Sequence, residues 1–183
     1  PQYEQLIDSP QVNAQLLNNL RKIFSKYGIT NGKLLDVGCG PGNLRTSLGD
    51  SFSYTGIDVS EGMLLIAKEK RYKTIHGRLE EMLLQISDKS FDYVVSLSAL
   101  HFVKDINATL VEFERIARNG WLVSLPDITS SYIKNFPVDE PMYNHSNIVL
   151  QGAQEDICFP AWTSITTGDT ISERMIFKRL SKV

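Results

Sequence analysis

The chain has 183 residues, 42% of them apolar and 22% charged, the composition of an ordinary globular domain long enough to bury its own core. Lysine and arginine total 19 against 21 acidic residues, so the net charge is -2 and a sequence-independent grip on nucleic acid is not expected. The two cysteines, Cys39 and Cys158, stand too far apart for a disulfide scaffold, and with three histidines (His76, His101, His145) no structural metal is expected.

The longest apolar stretch, residues 93–103, is broken by Ser96, Ser98 and His101, whereas a membrane-spanning helix needs ~20 mostly apolar residues. The opening PQYEQLIDSP has neither the basic end nor the apolar run of a signal peptide. A single domain over residues 1–183 is expected, soluble, reduced and cytoplasmic, with no membrane span.

In chain order, residues 11–27 place Val12, Leu16, Leu17, Leu20, Ile23, Phe24 and Tyr27 at helical spacing, and Gly28 is a natural stop. Residues 33–38 form a short buried strand that runs into glycines, and residues 53–58 form a second. Ser60 reads as the N-cap of a helix that turns Met63, Leu64 and Ala67 inward. Residues 73–76 make a weak third strand and residues 91–96 a clear fourth. A helix over 106–118 carries Leu110, Val111, Phe113, Ile116 and Ala117 and ends at Gly120. Residues 121–125 are a fifth strand closed by Pro126. This alternation predicts an α/β fold with a mainly parallel sheet and helices on both faces. Residues 162–166 and 172–180 flank Thr167, Gly168 and Asp169 and read as an antiparallel hairpin at the sheet edge. Residues 127–160 have no sustained period and read as a variable cap over the substrate region.

The sharpest feature is LLDVGCGPGNL, residues 34–44. A strand that ends in Gly38, Gly40 and Gly42 lets a ligand approach the backbone with no Cβ in the way, and the helix that follows offers free N–H groups. In doubly wound sheets ligands bind where the strand order reverses. The third glycine falls one residue early for a dinucleotide GxGxxG, and Asp36 would repel a pyrophosphate. A ligand with an ammonium or sulfonium would welcome it. Asp58, at the end of the second strand, suits two ribose hydroxyls in any adenosine ligand.

Together with YTGIDVSEGML (residues 54–64) and FDYVVSLSALHFV (residues 91–103), this turn resembles the class I S-adenosylmethionine-dependent methyltransferases. Within them it resembles the small-molecule type near the ubiquinone and menaquinone biosynthesis enzymes. The similarity covers roughly residues 33–125, the cofactor-binding core. It implies a Rossmann-like, doubly wound, mainly parallel seven-stranded sheet with an antiparallel C-terminal edge hairpin. It also implies S-adenosyl-L-methionine as cofactor, S-adenosyl-L-homocysteine as product and a small-molecule methyl acceptor.

By the same resemblance Asp36, Gly38, Cys39, Gly40 and Gly42 hold the methionine moiety and sulfonium, and Asp58 the ribose. Val59 and Met63 pack on the adenine, Arg78 and Leu79 occupy the adenine-edge loop, and Ser96 and Leu97 end the fourth strand beneath the methyl donor. Tyr3 resembles the tyrosine that many relatives fold over the cofactor. The chain departs from the family in having Arg78 where an acidic residue usually meets the adenine amino group, which leaves Glu80 or a water for that contact. The turn before the fifth strand is shortened to Arg118, Asn119 and Gly120.

Other residues keep two readings. Cys39 is a small filler between glycines, with no adjacent base to make it a nucleophile. Met63 serves an ordinary core as well as an adenine face. His101 is either a capping or packing histidine or a general base, and is the catalytic candidate. Tyr143 and His145 read as exposed loop residues or as pocket lining, and Lys68, Lys70, Arg71 and Lys73 as a solvated basic face. No Asn/Asp-Pro-Pro-Tyr/Phe follows the fourth strand, which argues against amide or adenine-nitrogen methylation. The rival functions are a NAD(P)-dependent oxidoreductase and a non-catalytic S-adenosylmethionine-binding protein.

Overall fold

The computed structural model describes residues 10–128, 141–163 and 170–180; Tyr3, the middle of the expected cap and the turn at Gly168 lie outside the described residues. Helix α1 (Pro10–Lys26) leads into β1 (Gly32–Val37), α2 (Asn43–Leu48), β2 (Phe52–Asp58) and α3 (Glu61–Glu69). Then come β3 (Lys73–His76), α4 (Leu79–Leu83), β4 (Phe91–Leu97), a 3-10 turn (Leu100–Phe102) and α5 (Ile106–Ile116). Strands β5 (Ala117–Pro126), β6 (Glu155–Thr163) and β7 (Thr170–Arg179) complete the chain.

They form one seven-stranded sheet in the order β3-β2-β1-β4-β5-β7-β6. The first five strands are parallel, β7 runs antiparallel to β5, and β6 runs antiparallel to β7. The expected α/β doubly wound sheet with an antiparallel edge is therefore the observed fold.

Alternation along each strand divides the core in two. Leu34, Tyr54, Val95, Leu122, Met175 and Phe177 face Leu20, Ile23 and Phe24 of α1, Leu44 of α2 and Leu64 and Ala67 of α3. On the other face Leu35, Val37, Ile57, Val94, Trp121 and Val123 meet Leu83 of α4 and Leu110, Phe113 and Ile116 of α5. Both faces are covered, as a parallel sheet requires. The end of α1 is tied to the edge by Tyr27, whose hydroxyl donates to Glu155 Oε1 at 2.7 Å, and by a Lys26–Glu155 ion pair.

Three boundaries differ from those read in the sequence. Helix α5 stops at Ile116, and Gly120 lies inside β5 opposite Arg179 rather than ending the helix. The glycine is needed there for close approach, since a Cβ would lie 2.5 Å from the Lys178 carbonyl oxygen. Strand β6 begins at Glu155, so the last part of the segment expected as cap is an edge strand. The adenine-edge loop is also partly helical, with Arg78 at the N-cap of α4 and Leu79 as its first residue.

The contact at Gly120 sets a first prediction. Gly120→Ala must push β7 away from β5, at a cost of about 1–3 kcal/mol. Thermal unfolding should show a fall in Tm of several degrees, and an unchanged Tm would contradict the packing described here.

Candidate functional site

Strand β1 pairs with β2 on one side and β4 on the other, so the order reverses between β1 and β4 and the glycine turn opens there. Gly38, Gly40 and Gly42 have φ of 73°, 50° and 75°, which is left-handed backbone that other residues enter only with strain. Gly38 also touches the loop after β4, where an added Cβ would lie 2.2 Å from Ala99 Cβ.

The N–H groups of this turn are already committed. Gly38 and Cys39 donate to Ile57 O at 2.9 and 3.0 Å, and Gly42 donates to Cys39 O at 3.0 Å. Gly40 donates to Asp58 Oδ2 at 2.9 Å. A pyrophosphate site needs such groups aimed at the ligand. Here those of Gly38, Cys39 and Gly40 hold the turn to β2 and that of Gly42 closes the turn on itself, while carboxylates stand beside them.

Asp36 is buried, with 3% of its surface exposed, and its Oδ2 accepts from the Tyr72 hydroxyl at 3.0 Å. Burial pushes its carboxyl up to about 7, the Tyr72 bond opposes that, and the negative Asp58 adds to it. Asp58 accepts from Ser60 N–H at Oδ1 at 2.9 Å and from Gly40 at Oδ2, so each oxygen keeps a lone pair for another donor. Cys39 lies over Gly56, where a Cβ would fall 2.4 Å from its sulfur. Burial, then Asp36 and Asp58, push its thiol well up, so it stays protonated and serves as a filler.

Beyond Asp58, Val59 leaves 61% of its surface exposed, an apolar face at the mouth of the site. The Ser60 side chain caps α3 by accepting from Met63 N–H at 3.4 Å, which sets the half-buried Met63 on the same rim. Gly77 N–H donates to Asp58 O at 3.1 Å, and this brings the Arg78–Leu79 turn alongside. Arg78 and Glu80 are both exposed.

On the other side of the reversal, the Ser96 hydroxyl is buried and donates to Val37 O at 2.8 Å, and Leu97 packs into the α1 side of the core. Ser98 takes φ 51°, and its N–H donates to Ser124 Oγ at 2.9 Å. Both Ser98 and Ser124 donate their hydroxyls to Glu173 Oε1, the latter at 3.1 Å. Glu173 is 3% exposed, and burial pushes its carboxyl up to about 7 against these two bonds. This cluster was missed in the sequence. Its signal was the period of β7, which puts Glu173 on the face of Met175 and Phe177.

His101 sits in the 3-10 turn with its Nδ1 buried and, among the described residues, without a hydrogen-bond partner. Burial, with His145 adding, holds it down at about 4, so the ring is neutral at neutral pH. Tyr143 N–H donates to His101 O at 2.7 Å, and His145 Nε2 lies 2.7 Å from Val103 O. Tyr143 and His145 are thus half-buried against the turn rather than exposed loop residues.

A doubly wound sheet whose reversal carries a glycine turn flanked by two carboxylates defines an α/β fold with a candidate ligand site at that reversal. Residues 35–124 match the family model described as a methyltransferase domain. The chain is 34% identical over 133 residues to demethylmenaquinone methyltransferase of Staphylococcus aureus, covering 67% of this chain and 53% of the relative. It thus spans about half the length of the curated relatives it matches. Among solved structures, a putative S-adenosyl-L-methionine-dependent methyltransferase from Methanococcus maripaludis is 26% identical, with TM-score 0.51 over 63% of this chain and 57% of that one. Magnesium protoporphyrin IX methyltransferase from Synechocystis, solved with bound SAH, shares the fold at TM-score 0.62 and 18% identity, over 90% of this chain and 82% of that one. The chain belongs to the S-adenosylmethionine-dependent methyltransferase family.

Glu173 gives a prediction whose sign follows from linkage. Its folded value of about 7 lies above the ordinary 4.5, so the folded state holds the extra proton between those values and stability falls as pH rises through them. Glu173→Gln removes that loss. The stability of the variant relative to the native chain should climb between pH 5 and pH 8 by on the order of 2–3 kcal/mol at most, read as a rise in their Tm difference. A difference in Tm that stays flat with pH would contradict a titrating Glu173.

Proposed function

We propose that the chain transfers a methyl group from S-adenosylmethionine to a small-molecule acceptor by in-line displacement. The observation that carries this reading is the turn itself: three of its N–H groups are tied to β2, that of Gly42 closes the turn on Cys39, and the buried Asp36 carboxyl stands beside them. Such a site repels a pyrophosphate and attracts a cation, which argues against the nicotinamide alternative.

In this reading Asp36 meets the cationic methionine end, with Gly38, Cys39, Gly40 and Gly42 shaping the turn around it. Asp58 accepts the ribose hydroxyls on its two remaining lone pairs. Val59, Met63 and Leu79 give the adenine apolar contact, Arg78 lies at its edge, and Ser96 and Leu97 support the floor from β4. When bound, the sulfonium supplies an activated methyl group with a neutral thioether as leaving group. The protein's share is then to position the acceptor and exclude water, with no acid needed for the leaving group. A base is required only where the acceptor must lose a high-pKa proton, and His101, in the 3-10 turn after β4 and kept neutral by burial, is the candidate imidazole.

The test has a binding arm and a turnover arm. Asp58→Ala should weaken S-adenosylhomocysteine binding, measured by calorimetry, by about 1–3 kcal/mol as the ribose hydrogen bonds are lost. An unchanged affinity would place the ribose elsewhere. Methyl-labelled cofactor incubated with a panel of phenols, amines and carbon acids should yield a labelled small molecule. Tight cofactor binding with no label transferred would favour the non-catalytic, cofactor-binding alternative.

A further inference from the structure

The C-terminus of α3 is built to place Tyr72 beneath the glycine turn. Arg71 adopts φ 61°, its N–H donates to Lys68 O at 2.8 Å, and Tyr72 N–H donates to Ala67 O at 3.1 Å. These are the paired bonds of a Schellman ending, with an arginine at the left-handed position that glycine usually takes. Non-glycine residues reach that conformation at a cost and persist there when the surroundings fix them. The chain then enters β3 at Lys73, and the Tyr72 ring turns into the core.

The ring fills the space that two glycines leave. A Cβ on Gly42 would lie 2.8 Å from Tyr72 Cε2, and one on Gly56 would lie 3.0 Å from Cδ1. The ring stacks on Tyr54 with centroids 5.1 Å apart, and its hydroxyl donates to Asp36 Oδ2 at 3.0 Å. Side chains on the turn, on β2 and before β3 thus converge on one buried carboxyl.

We propose that Tyr72 is a positioning residue for the cofactor: its phenol fixes one oxygen of the Asp36 carboxylate and leaves the other for the ligand's ammonium. The inference rests on the cofactor reading above. A buried carboxylate without a donor takes up a proton, and a protonated carboxyl has no charge to offer an ammonium.

Among the described residues, the titratable groups facing Asp36 are the phenols of Tyr72 and Tyr54, the Cys39 thiol and the Asp58 carboxylate. Burial pushes Tyr54 up to about 12 and raises Tyr72 and Cys39 as well, so these three stay protonated near neutrality. Asp58 adds negative charge, which opposes ionisation of Asp36, and the Tyr72 hydrogen bond favours it. Affinity for an ammonium is therefore present above the Asp36 titration and is lost as pH falls through it. Removing the phenol hydroxyl moves that loss to higher pH.

The experiment compares S-adenosylhomocysteine with 5′-methylthioadenosine, which has the same adenosine and thioether but no ammonium. Binding is measured by calorimetry from pH 6 to pH 8.5 for the native chain, Tyr72→Phe and Asp36→Asn. In Tyr72→Phe, a shift of about one pK unit should make S-adenosylhomocysteine bind about fivefold more weakly at pH 7, approaching tenfold at pH 6, and recover towards native affinity at pH 8.5. Methylthioadenosine should bind the native chain and both variants alike, and Asp36→Asn should bind S-adenosylhomocysteine weakly at every pH. An unshifted pH profile in Tyr72→Phe overturns the proposal, as does an equal loss of both ligands at all pH values, which marks a merely structural role. Native binding of S-adenosylhomocysteine upholds the cofactor reading whichever way the variant behaves. Failure of the native chain to bind either ligand removes that reading and the proposal with it.

Discussion

Two backbone N–H groups converge on Asp58, one from Gly40 in the turn after β1 and one from Ser60 at the start of α3. The carboxylate thereby locks the end of β2 to the loops on either side of it. Without that lock the glycine turn would be free to swing its donors outward, towards an anion. With it, and with the Ile57 carbonyl holding Gly38 and Cys39, the turn keeps one shape and offers a ligand negative charge and open space. Among the described residues nothing lies within 4 Å of the position a Cβ on Gly40 would take, so they leave that space over the turn open. The placement of Val59 and Met63 along the rim follows from the same carboxylate, because the Ser60 cap that it orients starts α3.

The arrangement stores unfavourable energy at the reversal. Asp36 and Glu173 are both buried carboxyls pushed up to about 7, and Ser98 and Arg71 hold left-handed backbone without being glycine. Each is stabilised by specific hydrogen bonds: Tyr72 to Asp36, Ser98 and Ser124 to Glu173, and the Schellman pair at Arg71. Buried carboxyls and left-handed backbone gathered in this way are what a binding site demands of a fold, although Lys89 before β4 is also left-handed at φ 48° and Asn19 and Thr109 are polar residues buried elsewhere in the core. The stability that offsets them comes from the two apolar faces, above all α1 and α5 against the sheet.

Much of this was legible in the sequence, for reasons that differ by element. Strands β1, β2 and β4 carry short apolar runs bounded by turn residues, and Ser60 announces α3 by its side-chain chemistry. Gly120 misled, because a glycine after a helical period reads as a stop, whereas its reason is the Lys178 backbone across the sheet. The start of β6 was hidden because an edge strand tolerates Pro160 and polar residues, which blur the alternation. Asp36, Asp58 and the three glycines form a local pattern and could be read together. Tyr72 could not: it lies inside a basic run, and its partner is brought to it by a helix ending with no glycine to mark it. Glu173 was overlooked for a related reason, since its hydroxyl partners come from the loop after β4 and from β5, far away in the chain.

The central claim is that this turn selects a cationic adenosyl ligand over a pyrophosphate. Thermal unfolding of the chain with S-adenosylmethionine, S-adenosylhomocysteine or NAD, each in large excess, tests it most directly. A ligand at 100 times its Kd adds about 2.7 kcal/mol to stability, enough to move Tm by several degrees. The account predicts that both adenosyl compounds raise Tm and that NAD leaves it unchanged; a rise with NAD alone would contradict it.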